Sequence, residues 1–222
     1  MLSAFSAAAL GFLLGLRHAT DPDHVVAVTA IVAREHGFAR AARIGALWGI
    51  GHSLTVLVMG GLIIVFRITI PPRLGLGLEF AVALVLILLG FSALRPMTAV
   101  QAAARESRRV ARVDGLRPVG VGVIHGLAGS AAVALLILAV IPETAWALAY
   151  LVVFGLGTIA GMTIVTWLIA APTVYAARHV VTFQRGIRLA AGTLSVLFGL
   201  FLAREIVVDG GLFRASPNWT PK

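Results

Sequence analysis

The chain of 222 residues contains no cysteine and little charge, and both absences narrow what the protein is. Without cysteine it has no disulfides, no thiolate metal sites and no cysteine nucleophile. Charged residues make up 12% of the chain, about half the share of an ordinary soluble domain. The Gly-Lys-Ser/Thr loop of nucleotide sites and the His-Glu-x-x-His pattern of zinc proteases are also missing. We therefore predict that the protein is not an enzyme and has no resident cofactor.

Hydrophobic residues are abundant instead, at 59% of the chain. They recur in stretches long enough to cross a bilayer, which takes about 20 helical residues. We predict an all-α membrane protein with about six transmembrane helices, at residues 3–33, 44–66, 76–94, 119–141, 146–170 and 187–207. The first stretch is too long for one straight helix. Because Pro22 cannot donate a backbone hydrogen bond, we expect this first helix to be broken near Pro22.

The arginines indicate how the chain lies in the membrane. The first, third and fifth connections carry twelve arginines, whereas the opposite side carries four arginines and Lys222. Cytoplasmic loops are enriched in Arg and Lys, so the bias predicts a multi-pass protein of the bacterial cytoplasmic membrane with both termini outside. It also explains the net charge of +9 without nucleic-acid binding. The charged segment 96–117 is predicted to be a cytoplasmic linker between residues 1–95 and 118–222.

The two halves of the chain resemble each other. "GLRHATDPDHVVAV" and "GVIHGLAGSAAVAL" align His18 with His125, and "WGIGHSLTVLVMGGLI" and "FGLGTIAGMTIVTWLI" align Gly51 with Gly157. A third pair, "LILLGFSALR" and "SVLFGLFLAR", aligns Gly90 with Gly199. The aligned residues of the three pairs are 107, 106 and 109 positions apart in the chain. Three spans in each half make the second half an inverted copy of the first, a transporter feature that places the substrate site near the midplane. The alternative is chance similarity between alanine-rich helices.

Four histidines and two aspartates fall inside the predicted spans, where a charged side chain costs roughly 2.5–3.5 kcal/mol. Imidazoles and carboxylates together suit divalent ions such as nickel, cobalt, zinc or iron(II). The predicted metal ligands are His18, Asp21, Asp23, His24, His52 and His125, and the predicted supporting residues are Arg17, Ser53, Ser130 and Thr158. On an ideal helix His18, Asp21 and His24 span one arc of about 120° with Asp21 at its centre, and Asp23 joins them only if the backbone unwinds at Pro22.

The residues of the first span also have structural interpretations. Asp21 is a possible partner of Arg17, and Asp23 is a possible N-cap of the helical segment that follows it. His18 and His24 are possible helix-end residues that contact water.

Similar alternatives apply to the rest of the chain. His52 and His125 are candidates for hydrogen-bonded histidines between helices, and the hydroxyl groups can bond to their own helices. Glu79 begins the third span on the outer side, and we interpret it as a carboxylate at a helix start, with attraction of cations as the alternative.

"RHATDPDH" resembles the signature of the nickel/cobalt transporter family, a histidine, four residues and then Asp-His. "GIGHSLTV" resembles the later Gly-His-Ser element of that family and gives His52 a matching role. The resemblance covers residues 11–58 and implies a membrane permease for Ni²⁺ or Co²⁺, with His18, Asp23 and His24 recognising the ion. Pro22 stands where alanine is usual. Full-length members typically have eight spans, so this shorter chain is more similar to the compact nickel permeases accessory to urease and hydrogenase.

We therefore predict a secondary transporter of Ni²⁺, and of Co²⁺, across the cytoplasmic membrane. The metal ion is its substrate, and its partners are that ion and the lipid bilayer. Uptake is favoured because the linker 96–117 contains no histidine. The alternatives are efflux of nickel or cobalt, and export of a small organic solute by a protein of the inverted-repeat type.

Overall fold

The structure is a computed structural model that describes residues 4–33, 37–68, 70–95, 113–141, 143–179 and 181–219. Within these residues every regular element is helical, which confirms the predicted all-α class. The helices are α1 (Ala4–His18), α2 (Pro22–Val32), α3 (Phe38–Phe66), α4 (Pro72–Leu94), α5 (Val113–Val140), α6 (Thr144–His179) and α7 (Val181–Arg204). A π-helical turn, Glu205–Asp209, extends α7.

Among the described residues, four stretches of helix are long and apolar enough to cross a membrane, namely Phe38–Phe66, Pro72–Leu94, Thr144–Pro172 and Arg185–Asp209. Large apolar side chains such as Leu54, Leu88 and Leu197 are exposed along them, as expected for helices that face lipid. The protein is therefore a multi-pass membrane protein. Its helices extend beyond the predicted spans because hydrophobicity marks the part inside the bilayer, while the helical backbone continues through polar residues.

The predicted break in the first span is confirmed, since α1 ends at His18 and α2 begins at Pro22. Proline is favourable at the first position of a helix, where its missing N–H has no partner to lose. Asp21 is the N-cap residue, with an extended backbone at φ −60° and ψ 142°. Asp23 lies within the first turn of α2, so its interpretation as the N-cap is wrong.

The short helix α2 lies in the middle of the bundle, where it packs against α4, α6 and α7. Its residues His24, Val26, Ala27, Val28, Ala30 and Val32 are all buried. They join a core cluster that also contains Trp48, Leu86 and Met162. An 11-residue helix is too short to cross a bilayer alone, so α2 is held inside the protein by its neighbours.

Glycines allow the helices to cross closely. Gly51 of α3 lies against the backbone of Val119 in α5, and Gly157 of α6 lies against the backbone of Phe12 in α1. A Cβ atom at either glycine would collide with that backbone. Other close contacts of this kind join Gly15 to Phe154, Gly122 to Trp48, Gly49 to Ile159, Gly90 to Gly192 and Gly199 to Ala83, whereas Gly155 lies at an ordinary contact distance from the Ser53 side chain.

The predicted linker 96–117 lies mostly outside the described residues, because residues 96–112 are not among them. Helix α5 begins at Val113, so the last residues of that segment are helical. The division into 1–95, 96–117 and 118–222 stays a prediction.

Candidate metal centre

Three histidines from three helices converge in the middle of the bundle. His18 ends α1, His24 lies in the first turn of α2, and His52 lies midway along α3. One ring nitrogen from each lies within 4.8 Å of the others. The Nε2 atoms of His18 and His52 are 3.1 Å apart, and the His24 ring centroid lies 4.8 Å and 5.1 Å from those of His18 and His52. Such a group of imidazoles can bind one metal ion.

The break before Pro22 brings His18 and His24 together. Six residues of continuous helix would rise about 9 Å and turn about 600°, which would separate the two rings along and around the axis. Their centroids are instead 4.8 Å apart. His18, Asp21 and His24 therefore do not lie along one continuous helix, as the ideal-helix spacing assumed. The interruption of the backbone between α1 and α2 brings the two histidines together.

The two aspartates contact the histidines from the Nδ1 side. Asp21 Oδ2 lies 2.7 Å from His18 Nδ1, and Asp23 Oδ1 lies 3.3 Å from His24 Nδ1. A carboxylate in this position orients an imidazole and raises the basicity of its other nitrogen. Within the described residues no ion pair joins Asp21 to Arg17, which is exposed, so that interpretation of Asp21 is wrong.

His125 lies beside the cluster. Its ring centroid is 5.5 Å from that of His24 and 5.4 Å from that of Trp48, the buried tryptophan of α3. His125 Nδ1 lies 3.0 Å from the Val121 carbonyl oxygen, to which it can donate within its own helix. This leaves Nε2 as the nitrogen that can bind a ligand.

The histidines of this region are deeply buried, with His24, His52 and His125 only 4%, 1% and 2% exposed. Three of their nitrogens, His24 Nε2, His52 Nδ1 and His125 Nε2, have no hydrogen-bond partner within the described residues, and His24 Nδ1 has only the Asp23 carboxylate at 3.3 Å. A buried polar group without a partner costs roughly 1–3 kcal/mol. Histidines that served packing alone would be better satisfied, which favours a role in binding.

The three predicted supporting hydroxyl groups donate to backbone carbonyls. Ser53 donates across to Gly155 of α6 at 3.0 Å. Ser130 and Thr158 each donate at 3.0 Å to a carbonyl of their own helix, three and four residues earlier.

A cavity of about 470 Å³ contains the histidine cluster and extends to two further carboxylates, Glu79 and Glu205. Glu79 lies about two turns into α4, near the start of that helix. Its side chain also lines the cavity. Sequence reasoning missed Glu205, although it lies inside the predicted span 187–207, where an acidic side chain is itself a signal. It also missed Trp48, whose ring lies beside those of His24 and His125.

Residues 4–112 match the sequence profile of a family described as High-affinity nickel-transport protein. The chain is also similar to the urease accessory protein UreH from Bacillus sp. (strain TB-90), with 36% identity over 92% of this chain and 93% of that relative. No solved structure gives a significant match to the chain. The matched residues 4–112 include His18, His24 and His52.

Proposed function

Because the chain belongs to the family of high-affinity nickel-transport proteins, we propose that it carries Ni²⁺ into the cell through the histidine cluster. The family consists of transporters, so the chain is not an enzyme and nickel is its substrate. Co²⁺ is a second substrate in this proposal, since the two ions differ little in ligand preference. The membrane is the cytoplasmic membrane.

The observation that carries the proposal is the convergence of three imidazoles in the protein interior. A divalent ion that leaves water must find replacement ligands, and neutral imidazole is the commonest protein ligand for such metals. His18, His24 and His52 supply those ligands. Asp21 and Asp23 contact two of the rings and partly offset the charge of the ion, and His125 offers Nε2 from the other half of the chain.

The glycine contacts support two inverted three-helix repeats. Applying the repeat offsets to the contact between Gly51 and Val119 gives Gly157 and Phe12, which are also in contact. The offsets also convert Gly122–Trp48 into Gly15–Phe154, Gly49–Ile159 into Gly155–Ser53, and Gly90–Gly192 into Gly199–Ala83. In this arrangement α1 and α2 together correspond to α5, α3 to α6 and α4 to α7, which makes six transmembrane segments.

Inverted repeats suit alternating access, in which one half rocks against the other around a fixed site. The histidine cluster draws its three ligands from α1, α2 and α3, and α5 brings His125 to it from the second repeat. Relative motion of the repeats would change access to the ion while the three ligands stay together.

Accumulation of radioactive nickel in cells that express the chain tests the proposal. We expect the wild type to raise accumulation, with cobalt competing, and the His24→Ala variant to lose it at equal membrane abundance. His179→Ala, a matched change at the end of α6, should behave as the wild type. Normal accumulation by His24→Ala would refute the site, and accumulation below that of cells without the protein would indicate efflux.

A further inference from the structure

The cavity concentrates acidic side chains in a basic chain. The sequence holds nine Asp and Glu residues against eighteen Lys and Arg, yet four of the nine line this one cavity, namely Asp21, Asp23, Glu79 and Glu205. Neither Arg nor Lys is among the described residues that line it. A cavity with low-dielectric walls and charge of one sign attracts the opposite charge strongly.

The acidic residues occupy two regions of the cavity. Asp21 and Asp23 accompany the histidines, whereas Glu79 lies on α4 and Glu205 begins the π-helical turn after α7. Leu76, Ala83 and Ile206 pack these two elements together, so both glutamates lie at the end of the bundle where α4 begins. Val82, Phe198 and Leu202 also line the cavity. The cavity therefore has a carboxylate end and an imidazole end.

We propose that Glu79 and Glu205 form a first binding station for a hydrated divalent cation, which the ion occupies before it reaches the histidines. This inference rests on the proposed nickel transport. Carboxylate oxygens bind hydrated divalent ions of many kinds, including Mg²⁺, whereas imidazoles favour nickel and its neighbours. The glutamates therefore concentrate cations and the histidines select among them. His24 and His125 line the same cavity, and each is buried with an Nε2 atom that has no hydrogen-bond partner within the described residues, which independently indicates a bound ligand.

Trp219 holds Glu79 in place. Its Nε1 donates a hydrogen bond of 2.8 Å to Glu79 Oε1. The indole ring lies against Gly75, where a larger residue would collide with it. Arg73 donates to the carbonyls of Arg214 and Ala215 at 3.3 Å, which ties the segment before Trp219 to the start of α4. Trp219 is thus a positioning residue for the carboxylate.

Equilibrium binding of radioactive nickel to the purified full chain in detergent tests the station. We expect two classes of site in the wild type, a tight one that His24→Ala removes and a weaker one that millimolar Mg²⁺ displaces. The Glu79→Gln/Glu205→Gln double variant should lose the weaker class and keep the tight one. The control Glu143→Gln changes an exposed carboxylate that precedes α6 and does not line the cavity, and it should keep both.

Uptake supplies the second readout. In the double variant we expect the nickel concentration for half-maximal uptake to rise about tenfold, at the low end of the effect of electrostatic focusing, with the maximal rate retained and inhibition by Mg²⁺ lost. Trp219→Phe should give a smaller rise. A double variant that matches the wild type in both assays would overturn the proposed binding station. A wild-type protein that shows no tight nickel site would instead overturn the proposed transport. If the double variant fails to reach the membrane, Glu205→Gln alone decides by the same criteria.

Discussion

Loss of Asp21 and loss of His18 should reduce nickel affinity by different amounts. Asp21 contacts only the Nδ1 atom of the His18 imidazole, whereas His18 is itself a proposed ligand. Asp21 Oδ2 lies 2.7 Å from His18 Nδ1, and such an outer partner is worth roughly 10–100-fold in metal affinity. We expect Asp21→Asn to weaken tight nickel binding by about that factor, whereas His18→Ala abolishes it. Equilibrium dialysis with radioactive nickel measures both.

Asp209→Asn is the control, since Asp209 is an exposed carboxylate paired with Arg204 away from the cavity. It should bind nickel as the wild type does. Complete loss of binding in Asp21→Asn would mean that Asp21 is itself a ligand, and unchanged binding would remove it from the site.

The residue types of the candidate centre are conspicuous in the sequence, because ionisable groups in a membrane span are energetically costly. The arrangement could not be predicted. Which atoms of Asp21 and Asp23 face the histidines depends on the backbone of three residues, 19–21, between α1 and α2. Glu205 joins the cavity through the packing of α4 on the π-helical turn, a contact between positions far apart in the chain.

The interrupted helix makes a prediction of its own. Pro22 prevents α1 and α2 from forming one continuous helix, and only the broken form brings His18 and His24 within 4.8 Å between ring centroids. We expect Pro22→Ala to reach the membrane normally and to bind nickel more weakly, roughly tenfold if the continuous helix becomes about 1.4 kcal/mol more favourable relative to the broken one. Titration of the purified variant measures the shift.

Pro172→Ala serves as the matched change, because Pro172 is an exposed proline within α6, outside the cavity. It should leave nickel affinity unaltered. Wild-type affinity in Pro22→Ala would show that packing around α2, rather than the proline, maintains the break.

The helix crossings predict that two distant glycines are equally sensitive. Gly51 and Gly157 each lie against the backbone of another helix, at equivalent places in the two proposed repeats. Gly51→Ala and Gly157→Ala should each destabilise the protein by roughly 1–3 kcal/mol, as overpacking does. Thermal unfolding in detergent measures the loss, and Gly120→Ala, which meets no atom within 4 Å, should unfold as the wild type does. A large effect at one glycine and none at the other would contradict their equivalence.

The helices themselves were predictable from hydrophobicity, but their ends were not. Helix α6 continues to His179, well past the apolar stretch that predicted it, because the hydrogen-bonded backbone has no reason to stop at the membrane surface. The sequence also did not predict which helices are in contact. The aligned glycines indicate where a close approach is possible, but a small residue does not determine which helix packs against it.

The proposed repeats share their scaffold but not their chemistry. The repeat offsets place Thr158 opposite His52 and Ala128 opposite Asp21, while His18 corresponds to His125. The glycine contacts recur in both halves, whereas most candidate ligands lie in the first. A symmetric frame can rock between two equivalent packings, and an asymmetric ligand set lets one ion-binding site remain intact as it does so.

The absence of cysteine permits a direct test of this organisation, since a single introduced thiol is the only one in the chain. Four exposed positions divide between the two ends of the bundle and the two halves of the chain, namely Pro71, Ser216, Ala39 and Gly186. The arginine bias predicts that the start of α4 lies outside. We expect a membrane-impermeant maleimide to label Pro71→Cys and Ser216→Cys in intact cells, and Ala39→Cys and Gly186→Cys only after lysis.

Each outcome bears on a different claim. The reverse labelling pattern would put the carboxylate end of the cavity in the cytoplasm, where it would collect ions for export instead of uptake. If Pro71 and Ser216, or Ala39 and Gly186, were labelled from opposite sides, the two halves could not be inverted copies. The expected pattern places Glu79 and Glu205 at the outer end, so that an incoming cation meets carboxylates before imidazoles.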